Sequence, residues 1–197
     1  MTEPLTIELA DPEHTGRVAR ALADVLTAGD LLVLTGELGA GKTTFTRSLG
    51  EGLGVRSGVI SPTFVLSRVH PNVPDGPRPG GPDLVHVDAY RLSSAEEVDD
   101  LDLEYSLDRS VTVIEWGRGK VEHLAQSRLD LELTRVTGAD VAAGLEFAAG
   151  TDDWDHEDFD DEDTDSRPEP RRLVISGTGP RWEGTAWQDL WAAVTSA

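Results

Sequence analysis

Short apolar runs alternate with stretches of helical periodicity along most of the chain, the pattern of a sheet covered by helices. Leu5-Thr6-Ile7-Glu8-Leu9 alternates and predicts a half-buried first strand. Asp11-Pro12 supplies an N-cap and a proline at the first helical position, after which Val18, Leu22, Val25 and Leu26 recur at helical spacing up to Gly29. Leu31 to Leu34 is apolar throughout, as in a parallel strand buried on both faces, and Thr43 to Leu53 carries no proline and predicts a helix. Val65 to Val69, Leu84 to Asp88 and Val111 to Ile114 read as further strands. Ser94 with Glu97 forms a capping box for a helix carrying Ala95, Val98 and Leu101, and a second short helix is expected around Leu103 to Leu107. Arg128 to Val136 alternates through Leu129, Leu131 and Leu133, with Arg172 to Ser176 as its expected antiparallel neighbour. Trp182, Trp187, Leu190, Trp191 and Val194 predict a closing helix whose start Gly184 and Thr185 interrupt.

Two stretches depart from this pattern. Residues 70–83 contain five prolines and are expected to form a Pro/Gly-rich loop that adds length without a core. Asp152 to Asp165 holds ten carboxylates and neither Lys nor Arg, so residues 151–170 are expected to be a disordered acidic insertion at a hairpin tip. The chain of 197 residues, read as a single domain over 1–197, has a net charge of −20. That charge opposes autonomous binding to a phosphate backbone, so any nucleic acid is expected to be met through a partner. With no cysteine, thiolate zinc sites, disulfides and cysteine nucleophiles are excluded. The first residues show no basic, apolar leader and no apolar run reaches membrane-spanning length, so a cytoplasmic protein without membrane contact is expected.

Between the buried-strand run and the helix that follows it lies Gly36-Glu37-Leu38-Gly39-Ala40-Gly41-Lys42-Thr43, a complete G-x-x-x-x-G-K-[ST] phosphate-binding loop. Its glycines let the backbone wrap a polyphosphate with N–H groups pointing inward, and the following helix aims its positive end at the same place. Lys42, one of two lysines in the chain, would reach the β- and γ-phosphates, and the Thr43 hydroxyl would sit on Mg²⁺. The expected fold is therefore α/β and P-loop NTPase-like: a mostly parallel central sheet flanked by helices, with a C-terminal antiparallel hairpin carrying the acidic insertion. Ligands of such sheets bind beyond the carboxyl ends of the strands, where Asp88 and Glu115 each close an apolar run. One of them is expected to serve the metal ion and the other to hold the attacking water, and spacing alone leaves the two roles open.

These residues occur in four blocks: Gly36 to Thr44, Ser61-Pro62-Thr63-Phe64, His86-Val87-Asp88-Ala89-Tyr90-Arg91 and Ile114-Glu115-Trp116. In that order they resemble the TsaE (YjeE) family of bacterial P-loop ATPases, over roughly residues 5–136 and more weakly 171–180. The resemblance implies an ATPase of the machinery that installs threonylcarbamoyl on an adenosine of tRNA, engaging TsaD and TsaB and resetting that complex by hydrolysis, with tRNA met only indirectly. It implies ATP and Mg²⁺ as cofactors, phosphate binding by Lys42, and Mg²⁺ held by Thr43 and Glu115. Asp88 would lie beside the γ-phosphate, Thr63 in a switch-like loop and Trp116 in the site wall, with Gly36, Glu37, Leu38, Gly39, Ala40, Gly41 and Thr44 around the nucleotide. Slow basal turnover, stimulated by partners, is expected. Guanine specificity by an N-K-x-D signature is excluded because the one Asn, Asn72, is followed by Val73. The five histidines show no zinc spacing, and no G-x-S-x-G elbow occurs. The competing readings are a small-molecule kinase, with Asp88 activating an acceptor hydroxyl, and a nucleotide switch that does not turn over.

Overall fold

The structure is a computed structural model and describes residues 2–136 and 170–197. The proposed insertion at 151–170 thus lies, apart from Pro170, outside the described residues. Seven strands form one sheet: β1 (Leu5–Leu9), β2 (Leu31–Thr35), β3 (Ser67–His70), β4 (Asp83–Asp88), β5 (Ser110–Glu115), β6 (Arg128–Arg135) and β7 (Arg171–Thr178). Their order is β1-β7-β6-β2-β5-β4-β3, with parallel pairings β6–β2, β2–β5 and β5–β4 at the centre and antiparallel pairings outside. The expected hairpin of the last two strands forms in the register Arg135 with Arg171.

Helix α1 (Pro12–Val25) begins as expected, with the Asp11 carboxylate accepting from the His14 N–H at 2.7 Å. It packs with α2 (Lys42–Leu53) and α5 (Thr185–Thr195) on one face of the sheet. The fully apolar β2 serves both faces: Leu32 and Leu34 join the large core beneath these helices, while Leu31 and Val33 join a smaller one with Val85, Val87, Val98 and Ile114. That second core is covered by α3 (Ala95–Asp99), capped by Ser94 as its sequence predicts, and followed by the short α4 (Glu104–Leu107). By the same alternation His86, Asp88 and Glu115 share the face that carries α2.

Three local differences from the sequence pattern have physical causes. The run from Val65 begins as a turn, not a strand: the Pro62 carbonyl accepts from both Val65 N–H (3.0 Å) and Leu66 N–H (2.7 Å), and Leu66 adopts φ 66°, so β3 starts at Ser67. Trp182 stands outside the closing helix, fully buried in a 3-10 turn, Pro180–Trp182, and Gly184 at φ 58° separates it from α5. The Pro/Gly-rich loop is tied down, because the Asn72 side-chain amide donates to the Leu53 carbonyl (2.9 Å) and the Arg78 guanidinium donates to the carbonyls of Ala23 (2.6 Å) and Leu26 (3.0 Å).

Arg78 and Arg181 together supply what α1 lacks. Its last turn has no basic residue, and Arg181 donates to the Val25 carbonyl at 3.0 Å while forking onto the buried Asp30 at 3.0 and 3.1 Å. Arg181→Ala would leave the buried Asp30 carboxylate without its charged partner, held by Thr27 alone, so urea denaturation should report a loss of about 2 kcal/mol. Arg181→Lys should recover only part of it, since an ammonium cannot reproduce the fork.

Candidate functional site

The loop after β2 turns back sharply because two of its glycines are sterically required. A Cβ on Gly36 would stand 2.3 Å from the Leu133 carbonyl oxygen, and Gly41 adopts φ 101° as the residue preceding α2. This places the N-terminus of α2 at the carboxyl ends of β2, β5 and β4, beside a cavity of about 530 Å³. Leu38, Gly39, Gly41, Lys42, Thr43, Thr44, Thr63, Asp88, Glu115 and Trp116 all line it. Of the sequence-predicted residues, Gly36, Glu37 and Ala40 stand behind the lining. Gly36 and Glu37 contribute carbonyls to Lys42, and Ala40 is buried in the large core.

Lys42 Nζ donates to the Gly36 and Glu37 carbonyls, each at 2.8 Å, and lies 3.9 Å from the centroid of the Trp116 ring. Burial pulls its pKa below the ordinary lysine value, and the carboxylates of Glu115 and Asp88 oppose that shift. Thr43 donates its hydroxyl to Glu115, 3.2 Å from Oε1 and 3.4 Å from Oε2. Asp88 and Glu115 are direct partners in the parallel β4–β5 register, which brings both carboxylates to one rim of the cavity. They are nevertheless held by different elements. Asp88 Oδ2 accepts from Ser61 (2.9 Å) and Thr63 (2.7 Å) of the turn before β3, and its Oδ1 accepts from the Tyr90 N–H at 3.1 Å.

Several contacts around these residues carry no signal in the sequence. Trp116 holds φ 63°, an uncommon conformation for a tryptophan, stabilised by its N–H on the Leu34 carbonyl (3.1 Å) and an edge contact with the Tyr90 ring at 5.2 Å. Lys120, the other lysine, donates to the carbonyls of Ala89 (2.9 Å) and Leu92 (2.8 Å) and so braces the turn that follows Asp88. His86 lies fully buried against Glu115. The His86–Glu115 contact follows from the pairing of β4 with β5, which no periodicity of the sequence reveals. Arg47, on α2, donates to the Val59 carbonyl at 3.3 Å.

A cavity flanked by a glycine-rich loop, a helix N-terminus and one buried lysine suits a polyanion, and two adjacent carboxylates with hydroxyls suit a hard cation. Fold and loop together define an α/β protein of the P-loop-like class. The chain belongs to the TsaE family of tRNA threonylcarbamoyladenosine biosynthesis: the profile described as "Threonylcarbamoyl adenosine biosynthesis protein TsaE" matches residues 9–141. It is 49% identical to the protein of that name from Streptomyces coelicolor, over 84% of this chain and 91% of the relative. It is 40% identical to that of Bacillus subtilis, over 64% of this chain and 75% of the relative. The crystal structure of Bacillus subtilis YdiB superposes with a TM-score of 0.63 at 25% identity, covering 98% of this chain and 97% of that one. Among the described residues no helix is long and apolar enough to cross a membrane.

Proposed function

We propose that this TsaE-family chain binds ATP with Mg²⁺ in the cavity at the N-terminus of α2 and hydrolyses it slowly, the rate rising when TsaB and TsaD are engaged. The observation that carries this reading is the convergence of Lys42, Thr43, Asp88 and Glu115 on one cavity at the mouth of a complete phosphate loop. Lys42 holds the β- and γ-phosphates, exchanging its two loop carbonyls for phosphate oxygens. Thr43 and Glu115 fit Mg²⁺, since a hydroxyl and a carboxylate already meet within 3.2 Å and a magnesium ion takes its remaining ligands from phosphate and water. When bound, that ion neutralises charge on the phosphates.

Asp88 is left to orient the attacking water, positioned by the two hydroxyls of the turn before β3. Because Ser61 adjoins and Thr63 lies within the turn that ends at Leu66, that turn would feel the state of the γ-phosphate through Asp88. Among the described residues the cavity lining includes no arginine, which accounts for slow basal turnover and for a partner's contribution to the rate. Cytoplasmic location, and contact with tRNA only through the partner complex, belong to the same reading.

Phosphate release from ATP by the purified chain tests it. Release in the absence of any added acceptor is expected, strengthened by Mg²⁺. ATP consumption that needs an acceptor and yields a phosphorylated product would instead establish a kinase.

A further inference from the structure

His86 is a buried titratable group that the reading above leaves without a role. It stands on β4 between Val85 and Val87, which face the opposite core, and it is fully buried on the α2 side of the sheet. Its Nε2 lies 2.8 Å from Glu115 Oε1, and Glu115 is itself buried. Its Nδ1 is also buried and meets no hydrogen-bond partner among the described residues. An imidazole in this setting has one satisfactory arrangement. Nε2 carries the hydrogen and donates it to the carboxylate, while Nδ1 keeps its lone pair; the other tautomer would set two lone pairs against each other and bury an unpaired N–H.

The consequence falls on the glutamate. Oε1 is engaged by His86 at 2.8 Å, with the hydroxyls of Thr43 and Thr46 at 3.2 and 3.5 Å, whereas Oε2 has Thr43 alone at 3.4 Å. Turning the carboxylate would cost a charge-assisted hydrogen bond between two buried side chains. We propose that His86 is a positioning residue: its Nε2–H pins one oxygen of Glu115 and leaves the other available to a divalent cation. This rests on the reading that Thr43 and Glu115 hold that cation. Groups that anchor a metal-binding carboxylate in this way are typically worth about 10- to 100-fold in metal affinity.

The test is Mn²⁺ binding by electron paramagnetic resonance with a non-hydrolysable ATP analogue present, alongside affinity for that analogue in EDTA. His86→Phe removes the donor at similar volume, and His86→Gln returns an amide N–H to nearly the same place. His86→Phe should weaken Mn²⁺ about 10- to 100-fold while metal-free analogue affinity stays within about twofold, and His86→Gln should recover most of the loss. Mn²⁺ affinity in His86→Phe within about twofold of wild type, in a cooperatively folded protein, overturns the inference. If His86→Phe does not fold, His86→Asn takes its place, since its amide is too short to reach Oε1. Mn²⁺ binding about tenfold weaker in Asn than in Gln then supports the role, and equal binding overturns it. A wild-type chain that shows no analogue-dependent Mn²⁺ binding overturns the underlying metal reading as well, an outcome distinct from the variants matching a wild type that binds.

Discussion

Lys42→Ala is expected to abolish measurable ATP binding, weakening affinity at least about a thousandfold, or about 4 kcal/mol. The lysine is the one cation lining the cavity among the described residues, and its Nζ is already held at the floor of the loop by the Gly36 and Glu37 carbonyls. On binding it exchanges those carbonyls for phosphate oxygens, so truncation leaves the polyanion with no counter-charge from the cavity lining. Lys42→Arg should fail nearly as badly, because a larger planar fork does not reproduce the compact point charge that fits within the loop. Titration calorimetry decides this, and micromolar affinity in Lys42→Ala would remove the central role of the loop.

The same lysine sets a pH dependence. Burial lowers its pKa from 10.5, so in the folded chain it gives up its proton at a lower pH than in the unfolded chain. ATP affinity should accordingly decline on the alkaline side before pH 10.5 is reached. The stability effect runs the other way. Below the folded pKa the buried ammonium costs stability, and that cost is relieved as pH rises through the folded value toward 10.5.

Asp88→Asn is expected to separate binding from turnover. Affinity for ATP should change by less than about threefold, because Asp88 is assigned no phosphate or metal contact, while partner-stimulated hydrolysis should fall by about 100-fold or more, the scale of a lost water-positioning group. The variant keeps the shape of the side chain. Its amide can keep the three contacts only by accepting from the Tyr90 N–H and donating to the Ser61 and Thr63 hydroxyls, which reverses those two hydrogen bonds and removes the negative charge that holds the water. Rapid-quench measurement of phosphate release separates the two effects, and a stimulated rate within threefold of wild type would move the water-positioning role elsewhere.

Legibility in the sequence divides along a physical line. The two-sided burial of β2, the capped starts of α1 and α3, and the β6–β7 hairpin each follow from local periodicity or from one capping residue, and all are found as read. The loop and the two acids were visible because glycine spacing and strand ends are properties of the chain alone. Contacts between strands distant in sequence are not. His86 reads as one more residue in an apolar run, and it becomes a partner of Glu115 only because β4 lies parallel to β5. Arg78 and Arg181 likewise look like surface charges until α1 ends beside them. The Val65 run shows the opposite error, where strand propensity yields to a proline carbonyl able to accept twice.

Hydrolysis of ATP in this cavity on behalf of a partner complex is the reading on which the rest depends. Its most direct test is phosphate release by the chain alone and with TsaB and TsaD from the same cell, comparing wild type with Glu115→Ala. A slow rate is expected for the isolated chain, with a rise of at least about tenfold on adding the partners and loss of that rise in the variant. Equal rates with and without partners, or full stimulation of Glu115→Ala, would contradict it.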